Sequence, residues 1–322
     1  KSLINNKVRA LFEDSNGNFW IGTRENGVQI LDREKGTFHE VEIDFTHSSA
    51  PDYDFGLKLI SFIREDSQGH IWIGTIRDGL VRYNLQTKET DHFYGYDDSK
   101  NKSYKDGSGW WAHTSNDGFV WISNQEGNLY KVDLFTATIP FEDEFPGKVF
   151  HSSYPNELWI GTENGLYRKI NDTGQVKKYI HDNDDSHSIS DNDIQAILRE
   201  SDNTYWVGTS NGLNKFNPEK EEFISYFRDP NDPESLSNND ILSIAGDKNG
   251  NIWIGTNGGG LNKWNSTQKK VERVQFSLPH GNYFSGNISA LYADSLNGLW
   301  VGTKSGLTPG GLFKHDIKTG VW

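Results

Sequence analysis

The sequence predicts an all-β fold: a seven-bladed β-propeller over residues 1–322 as one domain, with four antiparallel strands per blade and an incomplete last blade. Three observations predict it. A tryptophan motif recurs seven times, each copy carries the pattern of four short strands, and the composition is that of strands and turns. Aromatic residues make up 13% of the chain and glycine is frequent at 33, while runs rich in Ala, Leu, Glu and Lys are missing.

The motif is clearest at Ile252-Trp253-Ile254-Gly255-Thr256 and returns around Trp20, Trp72, Trp159, Trp206 and Trp300, with a degenerate copy, Val120-Trp121-Ile122-Ser123-Asn124. Successive tryptophans stand 52, 49, 38, 47, 47 and 47 residues apart, a period at which one supersecondary unit is copied head to tail. Twelve and nine residues before the tryptophan lie apolar pairs such as Val8/Leu11, Ile60/Ile63 and Ile241/Ile244, which mark a first strand. A turn follows, Asp14-Ser15-Asn16-Gly17 or Asp247-Lys248-Asn249-Gly250, in which Asp opens the turn and Gly accepts positive φ.

In the tryptophan strand, Trp and Gly fall on one face of the pleat and the flanking aliphatics and Thr on the other. Both faces are therefore apolar or small, and the glycine is expected to let a neighbouring aromatic approach the backbone. A second turn (Asn26-Gly27, Asp78-Gly79, Asn211-Gly212) leads to a third strand of the form Gly-Leu-x-x-aromatic, as in Gly212–Phe216 and Gly260–Trp264. Weaker fourth strands follow at Glu222–Phe227 and Val271–Phe276. No Trp-Asp pair occurs, so the WD signature is missing.

The run Asn239–Trp264, with its Asp-x-x-Gly-x-Ile-Trp-Ile-Gly-Thr core, resembles the two-component regulator propeller repeat. The resemblance extends along the chain, clean in copies 1, 2, 5, 6 and 7. Copies 3 and 4 depart, with Ser123-Asn124 in place of Gly-Thr and Tyr154-Pro155-Asn156 in place of the turn. It implies the periplasmic sensor portion of a membrane-bound hybrid two-component histidine kinase. By the same resemblance the ligand is an oligosaccharide and further domains of the same chain are partners; a homodimer stands open as another partner. No kinase or receiver segment is present here, so this chain would be the sensing piece alone.

Composition narrows the other possibilities. Net charge is −13, and Lys and Arg are scattered singly, which argues against nucleic acid. No apolar run approaches the roughly 20 residues of a membrane helix. Without cysteine there are no disulfides, thiolate metal sites or cysteine nucleophiles, and no cofactor is expected. The chain opens on Lys1, and Lys1–Asn6 matches the linker Glu234–Asn239, while Val321-Trp322 only enters a fourth strand. A piece of a longer polypeptide is expected, its last blade short of an outer strand.

Linkers between copies are where the repeats differ, and variable loops on a rigid scaffold are where binding resides. The linkers 182–193 and 229–240 are near-copies and read as structural, whereas 44–56 and 94–109 are odd and read as functional. Strand order brings them to one face with the second turns. The candidate ligand residues are Arg24, Tyr53, Arg77, Asp78, Trp110 and Trp111. Aromatic faces stack on sugars, and guanidinium forks pair with carboxylate, sulfate or hydroxyl groups. Packing for the tryptophans and solvated surface for the charges stand as alternatives.

Arg64, His113 and His151 share one phase, eight residues before the motif tryptophan, and read as a polar cluster: hydrogen-bonded structural groups first, a binding sub-site or an acid–base pair as the alternatives. Asp182–Asp185 and Asp229–Asp232 lack the order of a calcium loop and read as turns. The rival functions are a propeller enzyme, such as a polysaccharide lyase, and a protein-interaction scaffold.

Overall fold

The structure is a computed structural model and describes residues 2–43, 59–75, 80–93, 96–97, 102–103, 111–114, 120–123, 128–132, 141–144, 149–153, 157–170, 172–200, 204–275, 286–304 and 310–322. Two compact units divide the chain, Lys1–Phe145 and Pro146–Trp322. Every strand ladder is antiparallel, and no helix occurs among the described residues, so none is long and apolar enough to cross a membrane.

The first unit holds three four-stranded sheets, each a blade with strands in chain order. Blade 1 is Val8–Glu13, Phe19–Thr23, Val28–Asp32 and Thr37–Glu40. Blade 2 is Ile60–Glu65, His70–Thr75, Leu80–Asn84 and Thr90–Phe93. Blade 3 is Trp111–Thr114, Val120–Ser123, Asn128–Val132 and Phe141–Glu144. Between blades 2 and 3, in what the sequence presents as a plain linker, Tyr96–Asp97 pairs with Lys102–Ser103.

The second unit holds three more blades and a smaller sheet. Blade 4 is Val149–Ser153, Glu157–Thr162, Gly165–Ile170 and Val176–Tyr179. Blade 5 is Ile194–Arg199, Tyr205–Thr209, Gly212–Asn217 and Glu222–Tyr226. Blade 6 is Ile241–Gly246, Ile252–Thr256, Gly260–Asn265 and Lys270–Val274. The last sheet has three strands, Asn287–Ala293, Gly298–Lys304 and Leu312–Asp316.

This corrects the seven-bladed fold class. The chain is an all-β propeller, but six sheets, not seven, are complete four-stranded blades, and the seventh motif tryptophan, Trp300, sits in the three-stranded sheet. The reason is local. Asp316 N donates to Val321 O at 2.8 Å, as the first step of a fourth-strand ladder. The Trp322 ring stacks on His315 at 4.4 Å and 28°. Blade 6 has five residues, Lys270–Val274, in the corresponding position.

The motif tryptophans sit on the second strand of each sheet and are at most 6% exposed. Where the contacts are described, each packs on the following sheet. Trp159 meets Tyr205 and Phe216 of blade 5, Trp206 meets Trp264 of blade 6, and Trp253 clusters with Ile288 and Leu299 of the last sheet. The close approach expected at the motif glycine is real, and an aromatic makes it at Gly74, where an added Cβ would lie 1.9 Å from the Phe62 ring. At Gly22 and Gly208 the tight neighbour is an isoleucine of the next first strand, Ile60 and Ile241, and at Gly255 both Ser243 of its own blade and Ile288 of the next sheet stand close.

The turn motif has a further task. Asp14, Asp66, Asp247 and Asp294 each accept backbone N–H groups of their own turn with one carboxylate oxygen. The other oxygen takes the indole N–H of Trp20, Trp72, Trp253 and Trp300 at 2.7–2.9 Å. A buried donor thus receives a charged acceptor. From the third strand, the cross-strand partner of the tryptophan lays a cation over its ring: Arg82 on Trp72, Arg168 on Trp159, Lys215 on Trp206, Lys263 on Trp253 and Lys314 on Trp300, at 5.1–5.8 Å.

Candidate functional site

The second turns and the blade-to-blade linkers meet at the threonine end of the tryptophan strand. The threonine hydroxyl closes the second turn by donating to a glycine carbonyl, as in Thr23 to Gly27 at 3.1 Å and Thr256 to Gly260 at 2.9 Å. Backbone links then tie the residue after the threonine to the start of the first strand: Arg24 N to Lys7 O, Ser210 N to Asp193 O and Asn257 N to Asp240 O, at 2.9–3.0 Å.

The near-copy linkers saturate their own polar groups. Asp182 and Asp229 cap Asx turns at Asp184 N and Asn231 N. Ser188 Oγ donates to the carbonyls of Asp182 and Asp185, and Ser235 Oγ to those of Asp229 and Asp232. Each linker docks on a third-strand amide, with Ser190 N donating to Asn214 Oδ1 and Ser237 N to Asn262 Oδ1. Ile4 N donates to Gln29 Oε1 in the same way, so residues 2–6 serve blade 1 as such a linker. Groups occupied in this manner hold loops and leave little for a ligand.

Blade 1 differs at the same end. The first strand carries a β-bulge at Arg9, because Val8 pairs with Thr23 and Ala10 with Gly22. A bulge re-aims the extra side chain. Arg9 is half-buried and Arg24 exposed. Burial first, and the like charge of Arg24 second, hold the Arg9 guanidinium below its usual value. Lys7 Nζ is neutralised by Glu25 at 2.7 Å, and Glu25 is lowered by the hydrogen bonds from Lys7 and Asn5.

Bulges recur at the same phase at Ser61, Gln195, Leu242 and Ser289, eleven residues before the tryptophan. Blades 3 and 4, the two degenerate copies, show no such shift in their described first ladders. Sequence reasoning missed Arg9, since a bulge residue breaks alternation and leaves no periodic mark. Comparing phases between copies would have found it.

Of the six expected ligand residues, Arg24 stands at the linker end as described. Trp111 begins the first strand of blade 3, opposite Ser123. Tyr53, Arg77, Asp78 and Trp110 lie outside the described residues. In the sequence Trp110 holds the phase of Arg9, eleven residues before its own motif tryptophan.

The register places Arg64, His113 and His151 opposite Trp72, Trp121 and Trp159. Arg64 Nη1 donates to Ile63 O at 2.7 Å and its guanidinium lies 6.0 Å from the Phe12 ring centre, a packed position. The side chains of His113 and His151 are outside the described set. Among the described residues no group of His, Asp and Glu is arranged to hold a metal ion.

Five segments, residues 2–25, 57–77, 188–211, 235–258 and 282–305, match the two component regulator propeller family. The chain carries two component regulator propeller repeats. The matched segments are the first strand, Asp turn and tryptophan strand of blades 1, 2, 5 and 6 and of the last sheet, and blades 3 and 4 are not matched.

Among solved structures, these repeats fold like the extracellular domain of the putative hybrid two component system BT3049 from B. thetaiotaomicron. The two share 22% identity with a TM-score of 0.76, over 98% of this chain and 40% of that one. The chain therefore spans 40% of the length of that relative. A virginiamycin B lyase from Staphylococcus aureus shares 14% identity and a TM-score of 0.68 over 94% of each chain. At such identities both likenesses are of fold alone. No curated protein matches the chain.

Proposed function

We propose that this chain is the extracytoplasmic, ligand-sensing portion of a two-component signalling protein. In this reading it binds an oligosaccharide at the linker end of its blades and biases a histidine kinase carried elsewhere in the same polypeptide. The observation that carries the reading is the run of five two component regulator propeller repeats. The likeness to an extracellular domain of a hybrid two component system is in keeping with it, and with a periplasmic location.

The chemistry of the linker end supports binding rather than turnover. Blade scaffolds hold their polar groups in closed networks, and the groups left over on blade 1 are guanidiniums, which recognise and do not shuttle protons near neutrality. We assign no catalytic step to this chain. The candidate ligand surface is Arg24 with Tyr53, Arg77, Asp78, Trp110 and Trp111.

Calorimetry of the purified chain against a panel of oligosaccharides tests the proposal, with absorbance of unsaturated uronide products followed in the same mixtures. Saturable binding without product is expected. Steady product formation would replace the sensor with a lyase, and silence across a broad panel would remove the oligosaccharide.

A further inference from the structure

We propose that Arg9 and Arg24 form an oxyanion-binding subsite on blade 1, which takes a carboxylate or sulfate group of the ligand. The inference deepens the sensor reading and rests on it only for the kind of molecule that bears the anion.

The argument begins with what occupies the same three positions in other blades. In blade 5 they are Asp193, Gln195 and Ser210; in blade 6, Asp240, Leu242 and Asn257. Those sets close on themselves. Gln195 Nε2 donates to Asp193 Oδ2 at 2.8 Å, Ser210 Oγ to Asp191 Oδ1 at 2.9 Å, and Asn257 Nδ2 to Asp240 Oδ2 at 2.7 Å.

Blade 1 has Lys7, Arg9 and Arg24 there, three cations in a chain of net charge −13. Glu25 is the one carboxylate hydrogen-bonded within the group, and it is engaged by Lys7 at 2.7 Å and by Asn5 at 3.1 Å. Among the described residues Arg9 and Arg24 make no side-chain hydrogen bond or ion pair, and Glu25, which also feels the charge of Arg24, is the one acid set against the three cations.

Both are also held in place. The bulge fixes where Arg9 leaves the first strand, and the backbone bond from Arg24 to Lys7 O, 3.0 Å long, fixes the root of Arg24 beside it. The bulge and that backbone bond root Arg9 and Arg24 at neighbouring positions, and the charge of Arg24 acts on the half-buried Arg9. A partly desolvated cation beside a like charge is unfavourable until an anion arrives, and planar guanidiniums match oxyanions through paired N–H donors.

The neighbouring first strand carries a further polar residue at this phase. Ser61 occupies the same bulge phase of blade 2, which packs on blade 1 through Ile60 against Gly22. Its hydroxyl oxygen is buried and has no hydrogen-bond partner among the described residues. Two cations rooted at neighbouring backbone positions make a site for an oxygen-rich anionic group.

The test uses three probes at constant ionic strength: inorganic sulfate, a sulfated or uronate-bearing oligosaccharide, and its neutral counterpart. Each is titrated into the wild-type chain, Arg9→Gln, Arg24→Gln and the control Arg228→Gln. The charged oligosaccharide should bind the wild type and the control alike and weaken roughly tenfold or more in Arg24→Gln, with at least as large a loss in Arg9→Gln. Arg24 is exposed, so its variant decides the matter even if Arg9→Gln folds poorly.

Charged-probe affinities unchanged in Arg24→Gln would overturn the subsite. Neutral oligosaccharide bound equally by all four proteins, with no preference for the charged one, would keep the sensor and discard the subsite. Sulfate binding that is lost in both variants, without binding of either oligosaccharide, would keep the subsite and discard the oligosaccharide.

Discussion

Blade 6 and blade 4 hold the same tryptophan by different means. In blade 6 the Asp247 carboxylate closes its own turn through Asn249 N and Asn251 N and takes the Trp253 indole N–H at 2.9 Å. Lys263 lies over the ring at 5.3 Å. Blade 4 lacks the Asp-x-x-Gly turn, and Glu157, two residues before the tryptophan, takes the Trp159 indole N–H at 3.2 Å instead. Arg168 donates to the other oxygen of Glu157 and also covers the Trp159 ring at 5.6 Å.

Blades 4 and 6 thus share an anion at a buried indole N–H and a cation on the ring face. The turn is one way to supply the anion. Blade 5 keeps only the second feature: Lys215 covers Trp206 and stands 3.4 Å from Glu200, which replaces the aspartate, while the buried Trp206 indole N–H has no hydrogen-bond partner among the described residues.

If the tryptophan is the common element, removing it should cost about the same in either blade. Trp253→Ala and Trp159→Ala should each destabilise by about 3–5 kcal/mol in chemical denaturation. A loss in blade 4 less than half of that in blade 6 would break the equivalence.

The acids come next. Asp247→Ala and Glu157→Ala should each cost about 1–3 kcal/mol, since a buried N–H loses a charged acceptor in both. A double-mutant cycle sharpens the contrast. Glu157 should couple to Arg168 because they are bonded, whereas Asp247 and Lys263, which share only the ring between them, should be close to additive. Lys263→Gln alone should cost about 0.5–1 kcal/mol, the usual size of a cation over an indole.

The smallest effect separates the blades by pH. His315 packs edge-on to Trp253 at 5.6 Å, while Trp159 meets Tyr205 at 4.6 Å and Tyr179 at 5.9 Å and has no histidine among these ring partners. Burial lowers the His315 pKa below 6.5, so the folded state prefers neutral imidazole more than the unfolded state does. Its contribution is therefore present above pH 6.5 and lost as pH falls from 6.5 toward the lower folded value. Hydrogen exchange should show blade 6 and the last sheet loosening in that window while blade 4 does not, and His315→Phe should abolish the difference.

The sequence discloses the strand plan because tryptophan spacing, Asp-to-Gly turns and Gly-Leu third strands each have a local cause. It also places the linkers, down to the match between residues 2–6 and 235–239 that Ile4 and Ser237 express in bonding to Gln29 and Asn262. It counts seven blades where six sheets are complete, because a tryptophan strand announces a sheet whether or not a fourth strand pairs with it, and the three-stranded sheet is the one expected to lack its outer strand.

Glu157 was illegible for a related reason. Its role depends on a side chain reaching past the strand register, not on a turn with its own signature. The candidate site was half-legible. Arg24 follows from its turn, whereas Arg9 became visible only once the ladder shift from Val8–Thr23 to Ala10–Gly22 was known.

That shift has a consequence for how such a protein could change its preferences. The bulge residue sits outside the ladder while its neighbours, Val8 and Ala10 or Ile241 and Ser243, remain buried. Arginine, serine, glutamine and leucine all occupy the slot within this one chain. Each blade that bears it therefore offers a position whose chemistry can be rewritten by a single codon without disturbing the core. A gene duplicated blade by blade acquires with every copy another independently adjustable tooth in the same lock.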